Sequence, residues 1–188
     1  MPKLVRLGIR QGTVRLVPFQ KHWVASFRRE RRRLELALAG LHADIQHVGS
    51  TAIPGMPAKP VIDITIGLSH RRHLRVAARR LIQAGYWHNH HADLPDRTLF
   101  TGNRGIWRTK HVSLTQIGSQ TWKNHICFRD YLLTHPHAAA RYRRIKQHLA
   151  RRFINDRRTY TGAKSAFVEG ILRLALRSTR ANRPGKNR

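Results

Sequence analysis

At 188 residues, 40% of them hydrophobic, the chain is long enough for one domain with a proper core and too short for two. One cysteine excludes an internal disulfide and a multi-cysteine zinc centre, and no apolar run approaches the roughly 20 residues of a membrane span. With 37 Lys and Arg against 9 Asp and Glu, the net charge is +28, which favours polyanions such as RNA, DNA, nucleotides or an anionic membrane face, or else is a general bias of the surface.

Residues 13–17 alternate in polarity and predict a short strand ended by Pro18. From Gln20 to Leu41, Trp23, Phe27, Leu34, Leu38 and Leu41 recur at helical spacing, with arginines on the other face. Asp44 to Val48 is strand-like and stops at Gly49. Pro54, Gly55 and Pro57 then forbid a long regular helix over 51–59. Residues 61–66 predict a buried β-branched strand, interrupted by Asp63 and Thr65. A basic amphipathic helix over 70–84 follows, closed by Gly85. Two strands are expected near 98–101 and 107–114, within a turn-rich stretch. Three helices come next: one marked by Trp122, Ile126, Tyr131 and Leu133 and ended before Pro136, one by Tyr142, Ile145, Leu149 and Phe153, and one by Phe167, Ile171 and Leu174. Residues 178–188, basic and containing Pro184 and Gly185, are expected to form a disordered tail behind a single α+β domain over 1–177.

The chemistry concentrates at Val48-Gly49-Ser50 and, twelve residues on, Asp63-Ile64-Thr65-Ile66. Glycine lacks a Cβ, so the backbone after the strand can pass close to a phosphate, and a helical turn from Thr51 would add free N–H groups for the same anion. Asp63 on the neighbouring strand offers a hard oxygen ligand for Mg²⁺ against a triphosphate. Lys59 is either a phosphate clamp or the ion partner of Asp63. His47 and His111 suit a base near neutral pH or a hydrogen-bonded core position.

This spacing resembles the signature of the nucleotidyltransferase superfamily. Residues 47–64, His-Val-Gly-Ser-Thr-Ala-Ile-Pro-Gly-Met-Pro-Ala-Lys-Pro-Val-Ile-Asp-Ile, resemble the leading block of the GrpB family in particular. Phe128-Arg129-Asp130-Tyr131-Leu132 with His135-Pro136 is similar to that family's second block. Tyr142 with Lys146, then Tyr160 with Lys164 and Phe167, are similar to its third, and Val17-Pro18-Phe19 with Trp23 and Phe27 to its opening. The resemblance spans about residues 13–176. It implies a nucleotidyltransferase-like mixed β-sheet with flanking helices and a helical C-terminal part. It also implies a nucleotide or phosphorylated ligand held near His47, Gly49, Ser50, Thr51, Lys59, Arg129, Tyr160 and Lys164, with Asp63 and His111 as catalytic candidates and Mg²⁺ at Asp63 for nucleotidyl transfer. Two positions depart from the enzyme pattern: Thr65 stands where a second acid belongs, and Ser113 where the family tends to show a histidine. Two-metal chemistry needs several carboxylates, so one Mg²⁺ carried mostly by ligand phosphates is the most that Asp63 supports.

Other features have plainer readings beside the functional ones. Asp93 and Asp96 flank Pro95 and suit a turn better than a metal. Arg129-Asp130 suits a salt bridge pinning helix to sheet. His88-Asn89-His90-His91 has the look of a metal cluster but no evident acid or cysteine partner. Cys127, beside Ile126 and Phe128, reads as a buried inert thiol. The arginine runs at 28–33, 141–144, 151–152 and 157–158 read as solvent faces that suit phosphate contacts along RNA or DNA, the alternative being a non-catalytic nucleic-acid-binding or accessory interaction protein. The start lacks a signal-peptide core, so the expectation is a cytoplasmic protein.

Overall fold

The structure, a computed structural model, describes residues 5–10 and 12–181. In chain order the elements are β1 (Ile9–Arg10), α1 (His22–Ala37), β2 (Ala43–Val48), β3 (Ile62–Leu68), α2 (Leu74–Gln83), β4 (Trp87–His88), β5 (Arg97–Arg104), β6 (Trp107–Gln116), α3 (Gln120–Thr134), α4 (Pro136–Arg152), α5 (Arg157–Ala163) and α6 (Ser165–Ala181). The strands form one mixed sheet in the order β2-β3-β6-β5-β4, with β1 added on β6. Only β3 and β6 run parallel, and their register sets Asp63 beside His111 and Thr65 beside Ser113. This is the α+β architecture expected, with a mixed sheet, flanking helices and a helical C-terminal part.

Alternation along the strands gives the sheet two different faces. Ile45, Ile62, Ile64, Ile66, Leu68, Phe100, Val112 and Leu114 pack under α1 and α2 against Trp23, Phe27, Leu34, Leu38, Ala77 and Leu81. The one acid of that layer, Glu30, is neutralised by Lys110 at 2.8 Å and accepts a hydrogen bond from the Tyr86 hydroxyl. The opposite face carries Asp63, Thr65, His111 and Ser113 and is covered in part by α3. Gly67 makes that cover possible, since a Cβ there would sit 2.6 Å from the Trp122 ring. A second apolar cluster of Ile53, Met56, Leu132, Tyr142 and Ile171 seats the C-terminal helices on the loop before β3.

Several boundaries differ from the sequence reading. Residues 13–17 are not a strand: Val17 makes one isolated bridge to Ala58, and Val14 donates to the Ile154 carbonyl, so this segment lies along loops instead of a sheet edge. β4 and α5 were not anticipated, being two and seven residues long, too short to show a period. α6 runs through Ala181, four residues into the stretch expected to be a tail; 182–188 lie outside the described residues. Cys127 is half-buried rather than buried, and burial raises its thiol pKa, which keeps it inert.

Candidate functional site

β2 ends at Val48, and Gly49 turns the chain with φ +68° and ψ −169°, a conformation that only glycine adopts without strain. A single 3₁₀ turn, Ser50–Ala52, follows instead of a helix, so it brings no sustained helix dipole. The close approach that Gly49 permits is to Asp63, not to a ligand: a Cβ would lie 2.5 Å from Asp63 Oδ2. Behind the turn, His47 stacks on Phe27 with ring centroids 4.6 Å apart, and its Nε2 lies 3.0 Å from the buried Thr51 hydroxyl. Because His47 pairs with Ile64 in the ladder, it projects from the face opposite Asp63. Burial lowers its pKa to about 4, more than the nearby Asp63 charge raises it. His47 and Thr51 therefore brace the turn from behind.

On the other face, His111 Nδ1 lies 2.8 Å from Asp63 Oδ1. An ionised carboxylate only accepts, so the imidazole proton sits on Nδ1. Burial lowers the His111 pKa further than Asp63 raises it, which keeps the ring neutral. Its Nε2 is buried with no hydrogen-bond partner among the described residues, leaving a free lone pair. Burial acts to raise the Asp63 pKa, but the His111 hydrogen bond and the Lys59 charge outweigh it and hold the carboxyl below its usual range. Lys59, one candidate ion partner of Asp63, makes no salt bridge to it; the bonded partner of Asp63 is His111.

Asp63 and His111 line a cavity of about 200 Å³ with Ser50, Lys59, Lys146, Arg157, Tyr160 and Lys164. The Tyr160 ring is fully buried, with Lys164 Nζ 4.7 Å and Lys59 Nζ 5.7 Å from its centroid. The side chains of Lys59, Lys164 and Arg157 make no hydrogen bond or salt bridge to another described residue, although the two lysines lie over the Tyr160 ring. Lys146 is 2% exposed and donates to the Pro57 carbonyl at 2.5 Å. Burial, reinforced by neighbouring cations, lowers Lys59 to about 8, places Lys146 well below its normal value, and lowers Lys164 as well. Four cations thus face one carboxylate. That balance suits an anion with several charges, because each ammonium gains more from a phosphate oxygen than from its present surroundings.

Two of these residues are not among the expected site residues. Lys146 lies one turn after Tyr142 on the apolar stripe of α4, and a lysine inside such a stripe is a signal for a buried functional cation. Arg157 belongs to an arginine run whose composition suggests a solvent face, yet it is half-buried while Arg158 is exposed. Arg129, expected near the phosphate, instead ties α3 to β2: its guanidinium donates to Gln46 Oε1 at 2.8 Å and to the His47 carbonyl at 3.0 Å, and pairs with Asp130 at 2.7 Å.

The donor set does not fit a protein-held pair of metal ions. At the second-acid position Thr65 is fully buried and hydrogen-bonds His125 Nδ1 of α3 at 2.5 Å. Asp96 is used elsewhere, accepting from the Thr121 amide at 2.7 Å and hydroxyl at 2.6 Å at the start of α3. Asp93 lies at the β4–β5 turn beside His88. Asp63 is left as the single carboxylate, already bonded to His111 and surrounded by cations.

Among the described residues no helix is long and apolar enough to cross a membrane. The fold is shared with crystal structures of the Cid1 poly(U) polymerase, one of them bound to MgATP. That likeness has a TM-score of 0.51 at 12% identity over 72% of this chain and 44% of that one, and it is a likeness of fold. A crystal structure of the conserved protein GrpB from Enterococcus faecalis is similar with a TM-score of 0.79 and 28% identity, covering 88% of this chain and 99% of that one. In sequence, the glutamate-rich protein GrpB of Alkalihalophilus pseudofirmus is 34% identical over 170 residues, 88% of this chain and 98% of the relative. Residues 13–174 match the family model described as GrpB protein, and with sheet, helices and relatives in agreement this chain belongs to the GrpB family.

Proposed function

We propose that the protein binds a nucleotide or another phosphorylated ligand, with the phosphates in the cavity between the Gly49–Ser50 turn and α5. The observation that carries this reading is the convergence of Lys59, Lys146, Arg157 and Lys164 on one cavity beside a single carboxylate. At about 200 Å³ the cavity is below the roughly 300–1,000 Å³ of sites that engulf a whole ligand, so it takes a phosphate chain and leaves base and sugar outside. The Asp63–His111 pair supports one chemical act, acceptance at His111 Nε2 of a proton from an attacking hydroxyl, with Asp63 holding the ring orientation. Nucleotidyl transfer by this site then rests on positioning and on charge neutralisation by lysine and arginine. A Mg²⁺ would enter on the ligand's own phosphates and meet Asp63 alone.

ATP with Mg²⁺ raises the Tm of the wild-type protein; at 100 times Kd the stabilisation is about 2.7 kcal/mol, a shift of roughly 5–10 °C. Lys59→Met and Lys164→Met remove most of that shift. Equal shifts in these variants would place the anion elsewhere. Asp63→Asn tests the Mg²⁺ contact separately, since it abolishes only the part of the shift that depends on the metal.

A second reading, binding of RNA or DNA, is favoured by the exposed arginines of two helices: Arg28, Arg29, Arg31, Arg32 and Arg33 on α1, and Arg141, Arg143, Arg144, Arg151 and Arg152 on α4. Of these, Arg31 has an acid within its own helix turn, Glu35 at 2.7 Å, and Arg33 a longer contact of 3.9 Å to Glu30. The rest present charge to a phosphate backbone.

A further inference from the structure

We propose that His88, His90 and Asp93 form a Zn²⁺ site at the turn between β4 and β5. Among the described residues these three are the group whose ligand atoms come together, all within 4.8 Å of one another. Along the sequence the histidine run has no evident acid partner. Folding supplies it, because the 3₁₀ turn His90–Ala92 brings Asp93 back over β4, with Asp93 Oδ2 2.7 Å from His88 Nε2. Two imidazoles and a carboxylate are a donor set suited to zinc and its neighbours, with remaining positions open to water.

The ligands are held from outside the cluster. The Leu99 amide donates to Asp93 Oδ1 at 2.8 Å, which leaves the other oxygen for the metal. The His88 ring stacks on the buried Phe100 with centroids 5.2 Å apart, and the His90 ring lies against it at 3.6 Å. Backbone bonds from Asn89 to Leu99 at 2.8 Å and from Leu94 to Arg97 at 2.9 Å clamp the turn to β5. Such outer contacts orient metal ligands and tune their affinity.

The electrostatic setting selects the kind of cation. Arg97 donates to the Ala92 carbonyl inside the same turn, and the chain carries +28. A hard ion held by charge alone, such as Mg²⁺ or Ca²⁺, is disfavoured there and also lacks its preferred oxygen cage. Zn²⁺ gains instead from its bonds to two neutral imidazole nitrogens. The site lies on the sheet face opposite Asp63 and two strands from β6, so it is separate from the cavity. Its effect is to staple the short edge strand β4 to the turn that leads into β5.

Calorimetric titration of the full, untagged chain with a zinc salt tests this. Wild type and His91→Ala, whose altered side chain is exposed and outside the cluster, each take up one equivalent. His90→Ala and Asp93→Asn weaken binding by more than the roughly 10- to 100-fold that attends loss of an outer-sphere partner. In parallel, Zn²⁺ raises the Tm of wild type and leaves that of Asp93→Asn unmoved, while the metal-free melts of all four proteins coincide. No saturable uptake by wild type, uptake by His90→Ala and Asp93→Asn as tight as wild type, or an equal loss in His91→Ala would each overturn the proposal.

Discussion

Gly49 and Lys59 make the site's chemistry depend on single atoms. The Cα of Gly49 lies against the Asp63 carboxylate, so any side chain there meets both a backbone strain and a clash. Gly49→Ala is expected to cost roughly 1–3 kcal/mol in urea unfolding, from the φ/ψ penalty alone. A cost under half a kilocalorie would mean that the turn relaxes and does not depend on glycine. Lys59 gives the site a pH dependence of known sign. Its pKa in the fold is about 8, against 10.5 for the free side chain, with burial the largest cause and Arg157 and Lys164 adding to it. Phosphate affinity needs the ammonium, so it is steady below pH 8 and falls by up to about tenfold per unit above it. Stability of the ligand-free fold slopes the other way: between about 8 and 10.5 the unfolded chain holds a proton that the folded one has released, so this contribution rises with pH. Phosphate titrations at pH 7, 8 and 9 check the first sign, and unfolding curves over pH 8 to 10.5 check the second. At this scale the sequence was partly legible. Asp63, Lys59 and Ser50 were marked by type and spacing, and Tyr160 and Lys164 by the family resemblance, whereas the turn-bracing role of His47 and Thr51 was not, because one step in strand register decides which face a residue serves.

α3 is the element that closes the polar face of the sheet. Its start is held by the Ser119 hydroxyl accepting from the Trp122 amide at 3.2 Å and by the Asp96 carboxylate on Thr121. Along its length, His125 meets Thr65 and Arg129 meets β2. Asp96→Ala removes a charged cap that also links α3 to the loop before β5. A loss of about 1 kcal/mol in unfolding free energy is expected, with no change in phosphate affinity, since Asp96 does not line the cavity. A fall in affinity would show that the helix start and the cavity are coupled. Helices α1, α3, α4 and α6 were readable because each is long enough to show its apolar period, and Pro136 marked the break between α3 and α4. α5 was not, although it delivers Arg157 and Tyr160 to the cavity. Its seven residues are started by Asp156, whose carboxylate accepts from the Thr159 amide at 2.9 Å, a local cap that periodicity does not register.

Over the whole molecule, charge and fold are separate matters. This chain holds 37 Lys and Arg against 9 acids, while the relative of nearly equal length with which it shares a third of its residues bears the name glutamate-rich. If the exposed arginines of α1 and α4 contact nucleic-acid phosphates, affinity for duplex DNA or RNA falls by about 10³-fold or more between 50 and 200 mM salt and is unchanged by Asp63→Ala. Fluorescence anisotropy with a labelled duplex measures both; binding that is weak at low salt would assign the basicity to the surface alone. The family and the α+β fold class were determined by the sequence itself, through short-range patterns: blocks of residues in order, alternation in strands and the helical period. The tertiary structure alone decided which charges meet. Lys59, Asp63, His111, Lys146, Arg157 and Lys164 come from four separate segments and share a cavity only because β3 and β6 pair in parallel and α4 and α5 fold back over the Ser50 turn. The same holds for Asp93 over His88 and His90. Charges interact through space with a range of a few ångströms, and spacing along the chain carries no record of that distance until the fold is closed.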